Sequence, residues 1–180
     1  MTTVQNDIVE RMTGYIRHNA AKDPAALRAL VQQGHDQISG LLAGLSEEQA
    51  RWKPGADDWC ALELLQHVVT AKRGVARICT RLAAGEQIAG TGREGDEQDG
   101  VMGKQRLASL AEAREALDAA HADLLVFIDG PLATANVETR FNHFVFGDLT
   151  CREWAAFQRV HDGDHSNQIG QITSAPGYPA

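Results

Sequence analysis

The stretch His161-Asp162-Gly163-Asp164-His165 sets two imidazoles four residues apart near the C-terminal end of the chain. On a helix, side chains at i and i+4 rise from one face with Cβ atoms about 5–6 Å apart, so both rings can reach one metal ion. The same spacing opens the HExxH motif of zinc proteases, with Asp162 where the general-base glutamate would stand. That chemistry needs a third ligand, which in those families usually follows on the chain. Here the remaining residues are SNQIGQITSAPGYPA, with no further His, Asp or Glu. The third ligand has to come from upstream, which disfavours such a protease and favours His67.

Spacing alone decides little, because seven histidines in 180 residues will often produce one such pair by chance. Placement decides more. His161 and His165 continue the apolar stripe of Trp154, Phe157, Val160, Ile169 and Ile172. His67 continues a stripe of Cys60, Leu64, Ala71, Val75, Ile78 and Leu82. Three imidazoles thus face one interior. A buried neutral histidine needs a partner for each ring nitrogen, and a shared metal is the economical way to supply one to all three.

The elements that must position these rings are helices. Val4, Ile8, Met12 and Ile16 mark a short first helix over residues 4–18, with a narrow stripe that docks on the body or on a second subunit. Asp23-Pro24 starts a second helix, with Leu27, Leu30, Val31, Gly34, Ile38 and Leu42 facing the core. Ser46 and Gln49 form a capping box on a short helix that stops at Pro54-Gly55. Asp58 can cap a long helix over residues 59–84. Residues 85–106 hold six glycines and no period, which reads as an irregular connection and a crossover. Ser109 and Glu112 cap the next helix, which ends at Gly130-Pro131, and residues 131–149 read as mostly irregular. Thr150 with Glu153, and Leu149 with Trp154, make a capping box and hydrophobic staple on the last helix.

No segment alternates well enough to be a strand, so the expectation is an all-α, up-down-down-up four-helix bundle with an extra N-terminal helix. Residues 1–22 would form the accessory helix, 23–174 the bundle and 175–180 a tail. His67 lies about eight residues into its helix and His165 about eight from the end of its own. At 1.5 Å per residue each is roughly 12 Å from a bundle end, which aligns them if the two helices are antiparallel. Parallel packing would offset them by roughly 3–9 Å.

Composition narrows the function classes. A net charge of −7 opposes broad contact with nucleic acid. No apolar run approaches the roughly 18 residues that span a bilayer, and the N-terminus lacks the pattern of a secretory signal, so a cytoplasmic protein is expected, without a membrane partner. Three widely spaced cysteines, Cys60, Cys79 and Cys151, suggest neither a disulfide framework nor a thiolate zinc site.

Two segments carry a resemblance. WCALELLQHVVTAKRGV, with Trp59, Leu64 and His67, together with FGDLTCREWAAFQRVHDGDHSNQI, resembles the DinB/YfiT-like superfamily over most of residues 27–172. That resemblance implies a four-helix bundle, commonly homodimeric, that binds a divalent metal through three histidines, here His67, His161 and His165. Zinc or nickel is the expected ion, with iron or manganese as alternatives. It also implies a metal-dependent hydrolase or a low-molecular-weight-thiol S-transferase acting on a small molecule, with a thiol cosubstrate in the second case. A non-catalytic metal-binding or stress-related bundle, or a dimeric scaffold without metal, is the alternative.

Three ligands would leave an open position for a water or thiolate, which suits catalysis better than a structural role. Asp164, at i+3 from His161, is the candidate for a supporting catalytic role, and Asp162 is expected to face solvent or a neighbouring helix. His18, His35, His121 and His143 have no spacing partner and read as structural. Gly163 costs its helix about 1 kcal/mol relative to alanine, and would serve close helix approach or leave room above a metal.

Overall fold

The computed structural model describes residues 3–90 and 107–180. The glycine-rich stretch read as an irregular crossover falls mainly on residues outside that description. The helices are α1 (Thr3–Ala20), α2 (Pro24–Ala43), α3 (Glu47–Arg51), α4 (Ala61–Ala83), α5 (Leu110–Asp129) and α6 (Cys151–Thr173). A 3-10 turn over Pro131–Thr134 and an antiparallel hairpin, β1 (Phe141–His143) and β2 (Gly147–Leu149), connect α5 to α6.

Local chemistry accounts for most helix starts. Asp23 accepts the Ala26 N–H at 2.8 Å ahead of Pro24. Reciprocal capping boxes join Ser46 to Gln49 and Thr150 to Glu153. The start of α4 differs from expectation: Cys60, not Asp58, is the N-cap, because Glu63 Oε2 reaches back to accept the Cys60 N–H at 3.0 Å. The hairpin is the other departure. Its three-residue strands are too short to show an alternating pattern, and Gly147, at φ 72°, supplies the left-handed turn residue.

Side-chain contacts set the helix directions. Arg28 meets Asp129, and Gln32 meets His121, so α2 and α5 run antiparallel. Cys79 lies against Cys151 and Lys72 against Asp162, so α4 and α6 are antiparallel too. Arg152 holds the backbone of Ala20 and Lys22 while Gly34 abuts Asp162, which makes α2 and α6 parallel. The bundle is therefore up-down-down-up. Fully buried Leu27, Val31, Leu65, Val69, Leu124 and Ile169 fill it from all four long helices, each side chain stabilising the fold by about 1.5–3 kcal/mol.

Helix α1 docks on α6 rather than leaving its whole stripe free: Ile16 and Ala20 are buried in the core. Its N-terminal half does not follow. Val4 is 66% and Ile8 45% exposed, so only the C-terminal part of the predicted stripe is anchored.

Candidate metal centre

Antiparallel packing of α4 and α6 brings His67 level with His161 and His165. The three Nε2 atoms converge: His161 Nε2 lies 3.3 Å from that of His67 and 3.2 Å from that of His165. One atom from each ring falls within a mutual 4.8 Å, and no other His, Cys, Asp or Glu among the described residues joins the group. Ligand nitrogens at about 2.0–2.1 Å from a tetrahedral ion stand about 3.3 Å apart, so the spacing fits one small divalent ion.

The environment keeps lone pairs available. His67 is pulled below the ordinary histidine pKa by burial and then by His165. His161 is pulled well below it, again by burial first and then by its two neighbouring imidazoles. His165 Nδ1 lies 3.2 Å from Gln168 Oε1, which can only accept, so the ring proton sits on Nδ1 and Nε2 is left bare toward the cluster. Gln168 Nε2 in turn donates to Asp164 Oδ2 at 2.8 Å. Asp164 therefore reaches His165 through Gln168, and not His161 as its i+3 spacing suggested. His161 Nδ1 is buried without a hydrogen-bond partner among the described residues. Its ring is held by packing against Phe157, at 5.6 Å between centroids, while Trp59 stands 5.9 Å from the His67 ring.

Beneath the cluster Asp162 faces a neighbouring helix, one of the two expectations for it, but with a buried partner, Lys72, that the sequence reading missed. Asp162 is fully buried and bonded to Lys72 at 2.8 Å and to Gln158 at 2.6 Å. Lys72 sits among Val68, Val69, Val75 and Ala76 on the buried face of α4, and that position on the stripe was the available signal. Close helix approach is made by Gly34, where a Cβ would stand 3.0 Å from Asp162 Oδ2. Gly163 has a different neighbour: a Cβ there would meet Arg159 Nη1 at 2.8 Å. The glycine inside HDGDH makes room for a guanidinium on its own helix.

A cavity of about 700 Å³ opens beside all three imidazoles. Its walls include Met12 and Tyr15 of α1, Val75 of α4, Phe146 of the hairpin turn and Phe157 of α6. His67 and His165 also border a second space of about 570 Å³ lined by Trp59 and Ile172. Asp164 borders the first.

The remaining candidates are not brought to the cluster. All three cysteines are buried and unbridged, and burial pushes the thiols of Cys79 and Cys151 up, away from the reactive thiolate. His35 and His121 stack at 4.0 Å and bond to Asp118 and Gln32. His18 is exposed. His143 lies in the hairpin and borders the larger cavity.

The family model of the DinB superfamily matches residues 29–169. A curated relative, the uncharacterized protein YuaE of Bacillus subtilis (strain 168), is 28% identical over 149 residues, covering 73% of this chain and 87% of that protein. The fold is similar to the crystal structure of TT2238, a four-helix bundle protein, with a TM-score of 0.60 at 19% identity over 82% of this chain and 98% of that one.

Proposed function

The chain belongs to the DinB superfamily, and from that premise we propose that it is a divalent-metal-dependent enzyme in which His67, His161 and His165 hold the ion. The observation that carries this reading is the set of three converging Nε2 atoms with no fourth protein ligand among the described residues and a cavity beside them. A structural site would be closed by a fourth protein group, whereas three imidazoles suit a catalytic one. When bound, such an ion supplies a coordinated water or thiol acidified toward neutral pH, and Lewis acidity toward a substrate oxygen. Zinc or nickel fits an all-imidazole donor set, with iron or manganese as alternatives. A small molecule is the substrate, and water or a low-molecular-weight thiol the nucleophile. A cytoplasmic homodimer belongs to the same reading.

The chain's own residues have separate tasks. Gln168 holds the His165 proton at Nδ1, and Asp164 holds Gln168. Burial keeps His67 and His161 neutral. The apolar wall formed by Val75, Phe146 and Phe157 lowers the local dielectric and limits competing water.

The test is elemental analysis of protein purified without a histidine tag, followed by assays of ester hydrolysis and of thiol conjugation. About one zinc, nickel, iron or manganese per chain is expected, lost in a His161→Ala/His165→Ala variant. Equally little metal in both proteins would end the metal reading. Stoichiometric metal with neither activity would favour the non-catalytic bundle.

A further inference from the structure

One polar ring borders the larger cavity with half of its hydrogen-bonding capacity unused. His143 ends strand β1 and is 6% exposed. Its Nδ1 accepts the backbone N–H of Val145 at 3.1 Å and of Phe146 at 3.3 Å. Both neighbours are donors, so the ring proton is on Nε2, on the edge turned away from the hairpin. Nε2 has no hydrogen-bond partner among the described residues, and His143 is part of the cavity wall.

Packing and turn formation leave this nitrogen unexplained. Phe146, Trp154 and Phe157 surround the ring at centroid distances of 4.9, 5.2 and 4.5 Å, an environment that a phenyl ring would fill without placing an N–H in an apolar wall. The two turn N–H groups could be received equally well by an Asn or Asp oxygen. The second nitrogen is not among the fully buried unpartnered atoms, so it is open to what the cavity holds, water or a ligand. Burial brings the ring's pKa down to about 4, so Nε2–H is a neutral donor among apolar groups, where a charged partner would be costly to desolvate. Arg159 also lines the cavity, two residues from His161 and about 160° around the helix, with its stem against Gly34 of α2 and its guanidinium against Gly163 of its own helix.

We propose that His143 Nε2–H is the recognition group of a ligand subsite, and that the cavity takes a small molecule with a flat apolar body and a neutral carbonyl-type oxygen received by that N–H. Phe157 lies between the two ends of the subsite, 4.5 Å from the His143 ring and 5.6 Å from that of His161. A body resting on Phe157 presents its oxygen to His143 and its other end to the imidazole cluster. This names a substrate class for the proposed enzyme and rests on that reading for its catalytic consequence, though not for binding.

The test compares acetophenone with α-methylstyrene, which has nearly the same shape but a CH2 group in place of the oxygen. Dissociation constants are read from amide shifts of the full chain, metal-free and zinc-loaded, for wild type and His143→Asn. The variant keeps an acceptor for the turn and removes the Nε2 donor. Wild type is expected to prefer acetophenone by about 3- to 10-fold, the range of one net hydrogen bond, and the variant to lose that preference. On wild type alone, imidazole NMR should show the Nε2–H tautomer, with its proton moving downfield on adding acetophenone. That measurement stands even if the variant fails to fold. Equal affinities in wild type, a preference kept by His143→Asn, an unmoved Nε2 proton, or no binding of either probe would overturn the proposal. Loss of the preference in the variant of a protein that takes up no metal would uphold it while removing the metal reading.

Discussion

Lys72 Nζ lies 2.8 Å from Asp162 Oδ2, and neither side chain is exposed at all. Asp162 is the residue after His161, and Lys72 is five residues after His67 on the facing helix. The ion pair therefore ties together the two helices that supply the imidazoles, one residue from the cluster. Gln158 occupies the other carboxylate oxygen at 2.6 Å, so both oxygens have donors, as a buried charge requires. This pair joins α4 to α6 independently of any ion.

Removing one partner leaves the other charge buried alone. Lys72→Met is expected to destabilise the fold by about 3–5 kcal/mol, read from urea unfolding. Lys72→Met/Asp162→Leu should recover most of that loss, because an apolar pair can replace a buried ion pair at little net cost. If the pair sets the register of the rings, the double variant will still bind zinc about 10-fold more weakly than wild type. Wild-type affinity in the double variant would reduce the pair to a stability role.

Features made by residues near in sequence were legible in it. The capping boxes at Ser46 and Thr150, and the shared face of His161 and His165, depend on spacings of three and four residues. His67 needed a longer argument, from helix lengths and an antiparallel pairing, and the bundle supplies that pairing. Lys72 escaped because a lysine on an apolar stripe reads as a solvated edge until its partner on another helix is known. The hairpin escaped because three-residue strands carry no period, and with it the ring of His143. Cys60 displaced Asp58 as a cap because Glu63, at position N3, reaches back to the N-cap N–H. Each miss was decided by particular atom-to-atom contacts, an ion pair, a backbone ladder and a cap, which composition and periodicity do not record.

Gln168 orients a proposed ligand without touching the ion, so its loss should weaken binding without abolishing it. Gln168→Ala is expected to lower zinc affinity by about 10-fold, at the mild end of outer-shell effects, by competition with a chromophoric chelator. Asp164→Ala should act in the same direction and more weakly, since it reaches His165 only through Gln168. An Asp164→Ala effect as large as that of His165→Ala would instead mark Asp164 as a direct ligand.

Gly34, which packs against α6, and Gly163, which lies within it, should respond oppositely to alanine. At Gly34 a Cβ would meet Asp162 Oδ2 at 3.0 Å and Asp162 Cβ at 3.1 Å. Both atoms belong to a residue held by the buried ion pair, so Gly34→Ala should cost about 1–3 kcal/mol by overpacking. At Gly163 the obstacle is the far end of Arg159, which can swing aside. Gly163→Ala should be neutral or raise stability by up to about 1 kcal/mol through helix propensity. Comparable losses in the two variants, measured by thermal unfolding, would mean that Arg159 is fixed where it lies.

Acid should weaken this fold before its carboxylates titrate. Burial brings His121 down to about 3, with His35 and Lys72 as lesser causes, and brings His143 down to about 4. Both rings are neutral in the folded chain and titrate near pH 6.5 once unfolded. Well above pH 6.5 they contribute no pH dependence. As the pH falls below 6.5 the unfolded chain takes up protons that the folded chain refuses, and stability drops until the folded pKa values are reached. At pH 5 each ring accounts for a loss of about 2 kcal/mol relative to pH 7.5. His67 and His161 shift in the same direction and steepen the decline in metal-free protein. Urea midpoints across pH 5–8 should therefore fall on the acid side, and a His121→Gln variant should show a shallower slope. An unchanged slope in that variant would mean that the stacked pair of His35 and His121 does not remain neutral in the folded chain.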